Sequence, residues 1–585
     1  MNPSKSTLDD KLITLETLIG VSEYAIKSKL EELRDSDKEE EPCQEWIYEI
    51  LAFSFRENGT NHKNSWGTYF APMMIVPTED GQVLESPSIQ LVNEKVISYW
   101  AQRFQSTNNS LMQARYAGLV WDFTEKVTKE KPHYSAATTY CQALLKVAKE
   151  RNHEYEVDII QKLERALFIA TSLKKQDLIT SAKEIILDYE RFVAEDSKLG
   201  LWGFSFDLLI GNRKVVLSIE EEKELIETLE DRLNRLKNGE PWICEKAAER
   251  LARYYRSKKL KEECSRVIRT LGYSFETAAS KAEPLIASGW LEHMHHIYTE
   301  YELVNDAKRI LRIIQDVNPR VYDDMKLISY EMEISHNEIE SYIEQMLDDN
   351  LEKSLTRIAI NDIPQRCEIK KQLQYLAEKA PISFLFTKEI TDEQGRIIAT
   401  VGSLEDDLDG NIVSQISQRM NISAIFLNAT ISRVINQFSL DSDNLVNYLF
   451  NSPVFVDNQK DFLLKGIQKY LEQDYVVATH LLIPQIEATV RKLVEISGGT
   501  VLKRGRGGGF HLITLDDLLR SEQVKQALGE DASLYFRVVL TDQRGWNIRN
   551  DVCHGISLQH KCSQAVVERL IHILLVLGLL RHKQL

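Results

Sequence analysis

At 585 residues the chain is longer than one hydrophobic core usually serves, so more than one domain is expected. Its 43% hydrophobic and 27% charged residues are those of a soluble globular protein, and only 13 prolines and 25 glycines favour long helices over many turn-linked strands. The formal charge of −16 argues against a protein that coats nucleic acid over its whole surface.

In chain order, residues 7–34 read as one or two helices, with Leu8, Leu12, Leu15, Leu18 and Ile19 on one stripe. The acidic run 35–41 reads as a solvated linker, and 58–88 as an ordered loop. From 92 to 195 the period is again helical. Within it, 113–123 mixes small and aromatic residues in the way that lets helices approach closely. Ser218 and Glu221 are spaced as a capping box that opens a charged helix ending near Asn238-Gly239.

Residues 242–345 read as stacked helical hairpins of solenoid type. Three histidines, His293, His295 and His296, lie in this array. On a helix only His293 and His296 share a face, and no carboxylate at useful spacing completes a metal site, so packing or surface roles are expected. Two strand-like runs, 384–390 and 396–401, flank Asp392-Glu393-Gln394-Gly395 as a β-hairpin. Asp406, Asp407 and Asp409 follow in an acidic loop that lacks the downstream glutamate of a calcium loop.

The seven cysteines are odd in number, widely spaced and without C-x-x-C. This fits a reducing cytosol, with no disulfide framework and no zinc. No signal peptide is visible, and the most apolar run, 571–580, is too short to span a bilayer; it reads as a buried helix. The expected fold is mainly α. A helical lobe covers 1–200, a solenoid-like lobe 201–378, a small mixed connector with a β-hairpin 379–450, and an up-and-down helical bundle 451–585. The last of these carries roughly +3, against an acidic remainder.

Within the C-terminal bundle one helix is expected over 474–496, kinked at Pro484, with Glu487 and Arg491 four apart and able to pair on the surface. The segment 503–511 holds Lys503, Arg504 and Arg506 among glycines, the most basic and flexible stretch of the chain; it reads either as a loop suited to RNA phosphates or as a mobile surface loop that merely happens to be basic. Then comes Arg549-Asn550-Asp551-Val552-Cys553-His554-Gly555, preceded by Arg544 and Asn547. Arginine offers a planar fork for phosphate oxygens, and histidine moves a proton near neutral pH.

The pattern R-N-x-x-x-H resembles the signature of the HEPN superfamily of helical-bundle RNases. With Gly555 it is similar to an uncharacterised C-terminal family within that superfamily, and Leu482-Ile483-Pro484-Gln485-Ile486-Glu487 with Arg491 resembles the helix preceding the signature there. The resemblance implies a metal-independent, cofactor-free endoribonuclease that leaves a 2′,3′-cyclic phosphate. Arg549, Asn550 and His554 would be catalytic, Lys503, Arg504, Arg506 and Arg544 would contact RNA, and Glu487, Arg491, Asn547 and Gly555 would support them. It also implies a homodimer through the bundle and a role in stress response or antiphage defence. The helical scaffold would restrain the enzyme or bind a protein partner. Where some relatives carry a modifiable tyrosine two places after the histidine, this chain has Ile556. The alternative is a non-catalytic adaptor whose bundle binds RNA or nucleotide, or dimerises, while its solenoid recruits partners.

Overall fold

The computed structural model describes residues 3–36, 43–58, 66–77, 83–324, 332–392, 394–505, 507–557 and 559–582. The acidic run lies mostly outside these residues, and Arg506 entirely so. The protein is mainly helical: among the described residues there are 27 α-helices, and the only sheets are four two-stranded antiparallel pairs. Two compact units form, residues 1–314 and 315–585. The boundaries expected at 200, 378 and 450 therefore fall inside units.

The first unit is a helical array in which helices pack chiefly on their neighbours in sequence. Small residues make this close approach possible. A Cβ on Gly118 would stand 2.8 Å from the Tyr140 ring, and one on Gly272 would stand 1.7 Å from the Tyr298 hydroxyl. The capping box is formed: Ser218 Oγ accepts from the Glu221 amide at 3.1 Å, and Glu221 Oε2 accepts from the Ser218 amide at 2.7 Å. Where 58–88 was expected to be a loop, its described residues include three short strands: Phe70–Ala71, which pairs with Arg56–Glu57 just before it, and Met74–Pro77, which pairs with Val83–Ser86. His293 is not a metal ligand in waiting: its Nε2 pairs with Glu245 at 2.8 Å, and its ring packs on Trp242 and Phe275.

The core of the first unit also contains charges. Glu49 is fully buried and accepts from Tyr99 at 2.7 Å and Arg103 at 2.9 Å. Lys162 donates to Glu23 at 2.6 Å and lies 3.4 Å from Glu57. Burial alone would raise the Glu23 carboxyl, but Lys162 and the His153 hydrogen bond hold it well below the usual range.

The second unit has one continuous core, from Met346 to Leu577. The connector hairpin exists, as Lys388–Thr391 against Ile397–Val401. The acidic loop after it ends in a helix cap: Asp407 accepts from the Gly410 amide at 2.8 Å and opens the 31-residue helix Leu408–Phe438. That helix packs on Gln564–Gly578, the last helix of the chain, as do Leu351–Asn361, Ser442–Leu449 and Tyr475–Ile496. The core that the bundle belongs to therefore starts about one hundred residues before the expected bundle boundary at 451, because the apolar faces of 336–379 are buried against it.

Candidate functional site

The signature lies on a short helix, Ile548–Cys553. Its entry is set by the helix Glu530–Leu540 and the turn after it. The Trp546 amide donates back to the Val538 carbonyl at 2.8 Å, and a Cβ on Gly545 would meet that same carbonyl oxygen at 2.4 Å. Asn547 starts the helix in the left-handed region, φ 51°, a conformation asparagine tolerates better than most side chains. Gly555, at φ +69°, ends it, and His554 is the C-cap.

A continuous polar string runs through the site. The Arg549 Nε donates to Glu487 Oε2 at 2.9 Å, and its Nη1 donates to Asn550 Oδ1 at 3.2 Å. Arg491 donates to the other oxygen of Glu487 at 2.9 Å and to the Ile513 carbonyl at 3.4 Å. Asn550 Nδ2 donates to Asn547 Oδ1 at 2.8 Å and to the Thr541 carbonyl at 3.2 Å. Asn547 Nδ2 donates to Asp551 Oδ1 at 3.1 Å, and Lys561 pairs with Asp551 Oδ2 at 3.5 Å. The expected Glu487–Arg491 pair is present but largely buried, with side chains 17% and 16% exposed, so it is not the surface pair its spacing predicts. Its carboxylate is shared with an arginine 62 residues away.

Two features leave chemistry available. A guanidinium has five N–H donors, and the protein takes two of those on Arg549. The exposed imidazole of His554 has no polar partner among the described residues. No hydrogen bond joins Arg549 to His554.

The basic segment is a short hairpin, Leu502–Arg504 against Phe510–Leu512, with every residue of both strands exposed. Antiparallel pairing thus forms two short strands on either side of the glycine-rich stretch where a loop was expected. Phe510 is 75% exposed beside Arg504, and Lys503 lies 3.4 Å from Asp517. Ile513, at the foot of this hairpin, accepts the Arg491 hydrogen bond, so the hairpin is attached to the polar string. Arg544 differs from its expected role. Its Nε and Nη2 both donate to Asp542 at 2.9 Å, where Arg537 also pairs at 3.0 Å, so it braces the turn before the signature. Burial would raise the Asp542 carboxyl, but Arg544 and Arg537 outweigh it and hold it low.

Sequence reasoning missed a cleft of about 310 Å³ on the neighbouring face of the signature helix, lined among others by Trp546, Ile548, Asp551, Ser557, Lys561 and Asn421. Asp551 lies inside the signature and was readable as a polar residue there. The walls come from Ser557, from residues 560–566 and from the helix Leu408–Phe438, and only the tertiary fold brings them together. Among the described residues no group of three or more His, Cys, Asp or Glu could hold a metal ion, and no helix is long and apolar enough to cross a membrane. No family model, curated protein or solved structure matches the chain.

Proposed function

We propose that the C-terminal unit is a metal-independent endoribonuclease. The observation that carries this reading is Arg549: Glu487 and Asn550 hold it in place with donors left over, on the same short helix that ends in the exposed imidazole of His554, which has no polar partner among the described residues. RNA carries its own nucleophile. His554 takes the proton from the 2′-hydroxyl, whose oxygen attacks the adjacent phosphorus. The P–O5′ bond breaks as the new P–O2′ bond forms, giving a 2′,3′-cyclic phosphate and a 5′-oxygen that leaves with a proton. Arg549 stabilises charge on the non-bridging oxygens through its free donors. Asn550 keeps the guanidinium in register. One imidazole does not readily serve as base and acid in a single step, so a second copy of the bundle in a symmetric dimer supplies the acid. Lys503 and Arg504 on the hairpin, with the exposed Phe510 opposite Arg504, hold the RNA backbone and an unpaired base.

Glu487 also gives the adaptor reading a specific footing. One carboxylate neutralises part of two guanidinium charges, and a braced arginine can serve binding alone. One experiment separates the two. The protein is incubated with total RNA and with tRNA in chelator, beside Arg549→Ala and His554→Ala. Cleavage by the wild type, lost by at least 100-fold in both variants, supports the enzyme. Binding without cleavage in all three supports the adaptor. A requirement for magnesium, or a monomer both alone and with RNA, overturns this mechanism.

A further inference from the structure

The cleft beside the signature helix has the chemistry of a base-recognition site. Successive helical residues turn by about 100°, so His554, three residues after Asp551, falls about 60° around the helix from it. The cleft face and the His554 face are therefore adjacent. The opposite wall is built by a reversal of the chain. With Gly555 in the left-handed region, the Ile556 and Ser557 amides both donate to the Asp551 carbonyl, at 3.0 and 3.1 Å, and the following residues return alongside the signature. The enclosed volume of about 310 Å³ is at the lower end of the range for small-molecule clefts, large enough for one heterocycle and too small for a duplex.

The lining is selective. Trp546 is half-buried, contributes aromatic surface, and has an indole N–H without a hydrogen-bond partner among the described residues. Asp551 is the only carboxylate among the lining residues. Its Oδ1 accepts one hydrogen bond from Asn547, and its Oδ2 faces Lys561 at 3.5 Å. A carboxylate oxygen has two lone pairs, so each oxygen retains one acceptor position. Two parallel acceptors match two adjacent donors. Among the four RNA bases only guanine presents that arrangement, N1–H beside the 2-amino group; adenine, cytosine and uracil each place an acceptor on the same edge and would set it against the carboxylate.

We propose that this cleft binds a guanine base, held by Asp551 and stacked on Trp546. Given the nuclease reading, on which this assignment of its role rests, the base belongs to the nucleotide beside the scissile phosphate. The enzyme then cuts next to unpaired guanosines. Asp551 is a specificity residue, and Lys561 keeps the cleft from carrying an uncompensated negative charge.

Full-length protein is tested in two arms. In the first, GMP, AMP, CMP and UMP are titrated by equilibrium dialysis. GMP is expected to bind at least 10-fold more tightly than the other three. Asp551→Asn should weaken it at least 10-fold, and Ser563→Trp, which fills the mouth from an exposed position whose hydroxyl makes no capping bond, should abolish it with an unchanged melting temperature. Equal or absent binding of all four nucleotides overturns the proposal, as does a GMP preference that survives both substitutions. In the second arm, cleavage positions are mapped on an unstructured RNA. Cuts beside guanosine that become indiscriminate in Asp551→Asn support the placement of the base in the substrate. If GMP binds selectively and the wild type cuts nothing, the cleft stands as a free-nucleotide site and the nuclease reading falls. If RNA is cut without base preference and GMP does not bind, the nuclease stands and the guanine site falls.

Discussion

The two units bury similar kinds of residue by opposite routes. In the first, a helix finds its partner in the next helix along the chain, as Ser110–Thr128 does with Tyr134–Glu150. In the second, the last helix gathers its neighbours from more than two hundred residues of sequence: His572 Nε2 meets the Ile358 carbonyl at 3.1 Å, and Arg569 lies 3.7 Å from Asp362. An array of nearest neighbours loses stability locally when one piece is damaged, whereas a bundle closed by its final helix is all or none. The candidate site belongs to the second kind, since Glu487 and Arg549 come together only when the bundle closes.

The largest expected effect tests that closure. A fragment 451–585, the bundle as expected from the sequence, lacks Leu355, Ile358 and the helix Leu408–Phe438, so Gln564–Gly578 loses much of its covering. It should show no cooperative urea transition, whereas 332–585 should show one. A cooperative 451–585 would make the bundle as local as the array. Next in size is Arg569→Ala. Arg569 is 1% exposed, donates to Ser423 at 2.7 Å, and faces the buried Asp362. Removing one member of a buried pair costs about 3–5 kcal/mol, and the transition of the second unit should move by that amount in urea while that of the first stays in place.

Much of the first unit was legible because its determinants are close in sequence. Ser218 and Glu221 are three apart, and the small residues around Gly118 mark a helix contact with the next helix. The hairpin 388–401 and the Glu487–Arg491 pair were readable for the same reason. The second unit was less so. Periodicity says which face of a helix is apolar but not what covers it, so residues 336–379 read as part of the scaffold. The run 571–580 read as apolar and buried, yet it contains the buried His572, and Glu568 and Arg569 just ahead of it are buried too. Within the site, the spacing of Arg549 and His554 was visible. The Glu487 clamp and the cleft wall depend on chain reversals that no local pattern encodes, whereas the commitment of Arg544 to Asp542, two residues away, is local.

His572 gives the comparison a pH dependence. Burial, with the nearby Arg569 charge, pushes its imidazole down to about 3, and it is held neutral between the Tyr535 hydroxyl at 2.9 Å and the Ile358 carbonyl. The unfolded chain binds a proton near pH 6.5 and the folded one does not, so stability is lost as pH falls from about 6.5 towards 3. Between pH 7 and 4 this amounts to about 3 kcal/mol in the second unit. Glu568 works against it, because burial raises its carboxyl and a protonated Glu568 favours the folded state in acid. His572→Gln should flatten the acid limb of the second unit's stability curve, measured by urea midpoints across that range. An unchanged slope would remove His572 as its cause.

The smallest effect probes the array. Ser218→Ala deletes one of the two reciprocal capping bonds of Ile219–Leu236, a loss of about 1 kcal/mol for an N-cap. Glu221 is also held by Lys183, 2.7 Å away on the preceding long helix, so the carboxylate stays in place when the serine hydroxyl is gone. In a double-mutant cycle, Ser218→Ala and Lys183→Met should be close to additive, because the Ser218 hydroxyl holds the Glu221 amide whereas Lys183 holds the carboxylate, which the residue-218 amide still grips in both variants. The first unit's melting temperature should fall in all three variants and the second unit's should not move. A shift shared by both units would mean that damage to one helix cap is not contained by the array, and the distinction between local and global closure would fail at its weakest point.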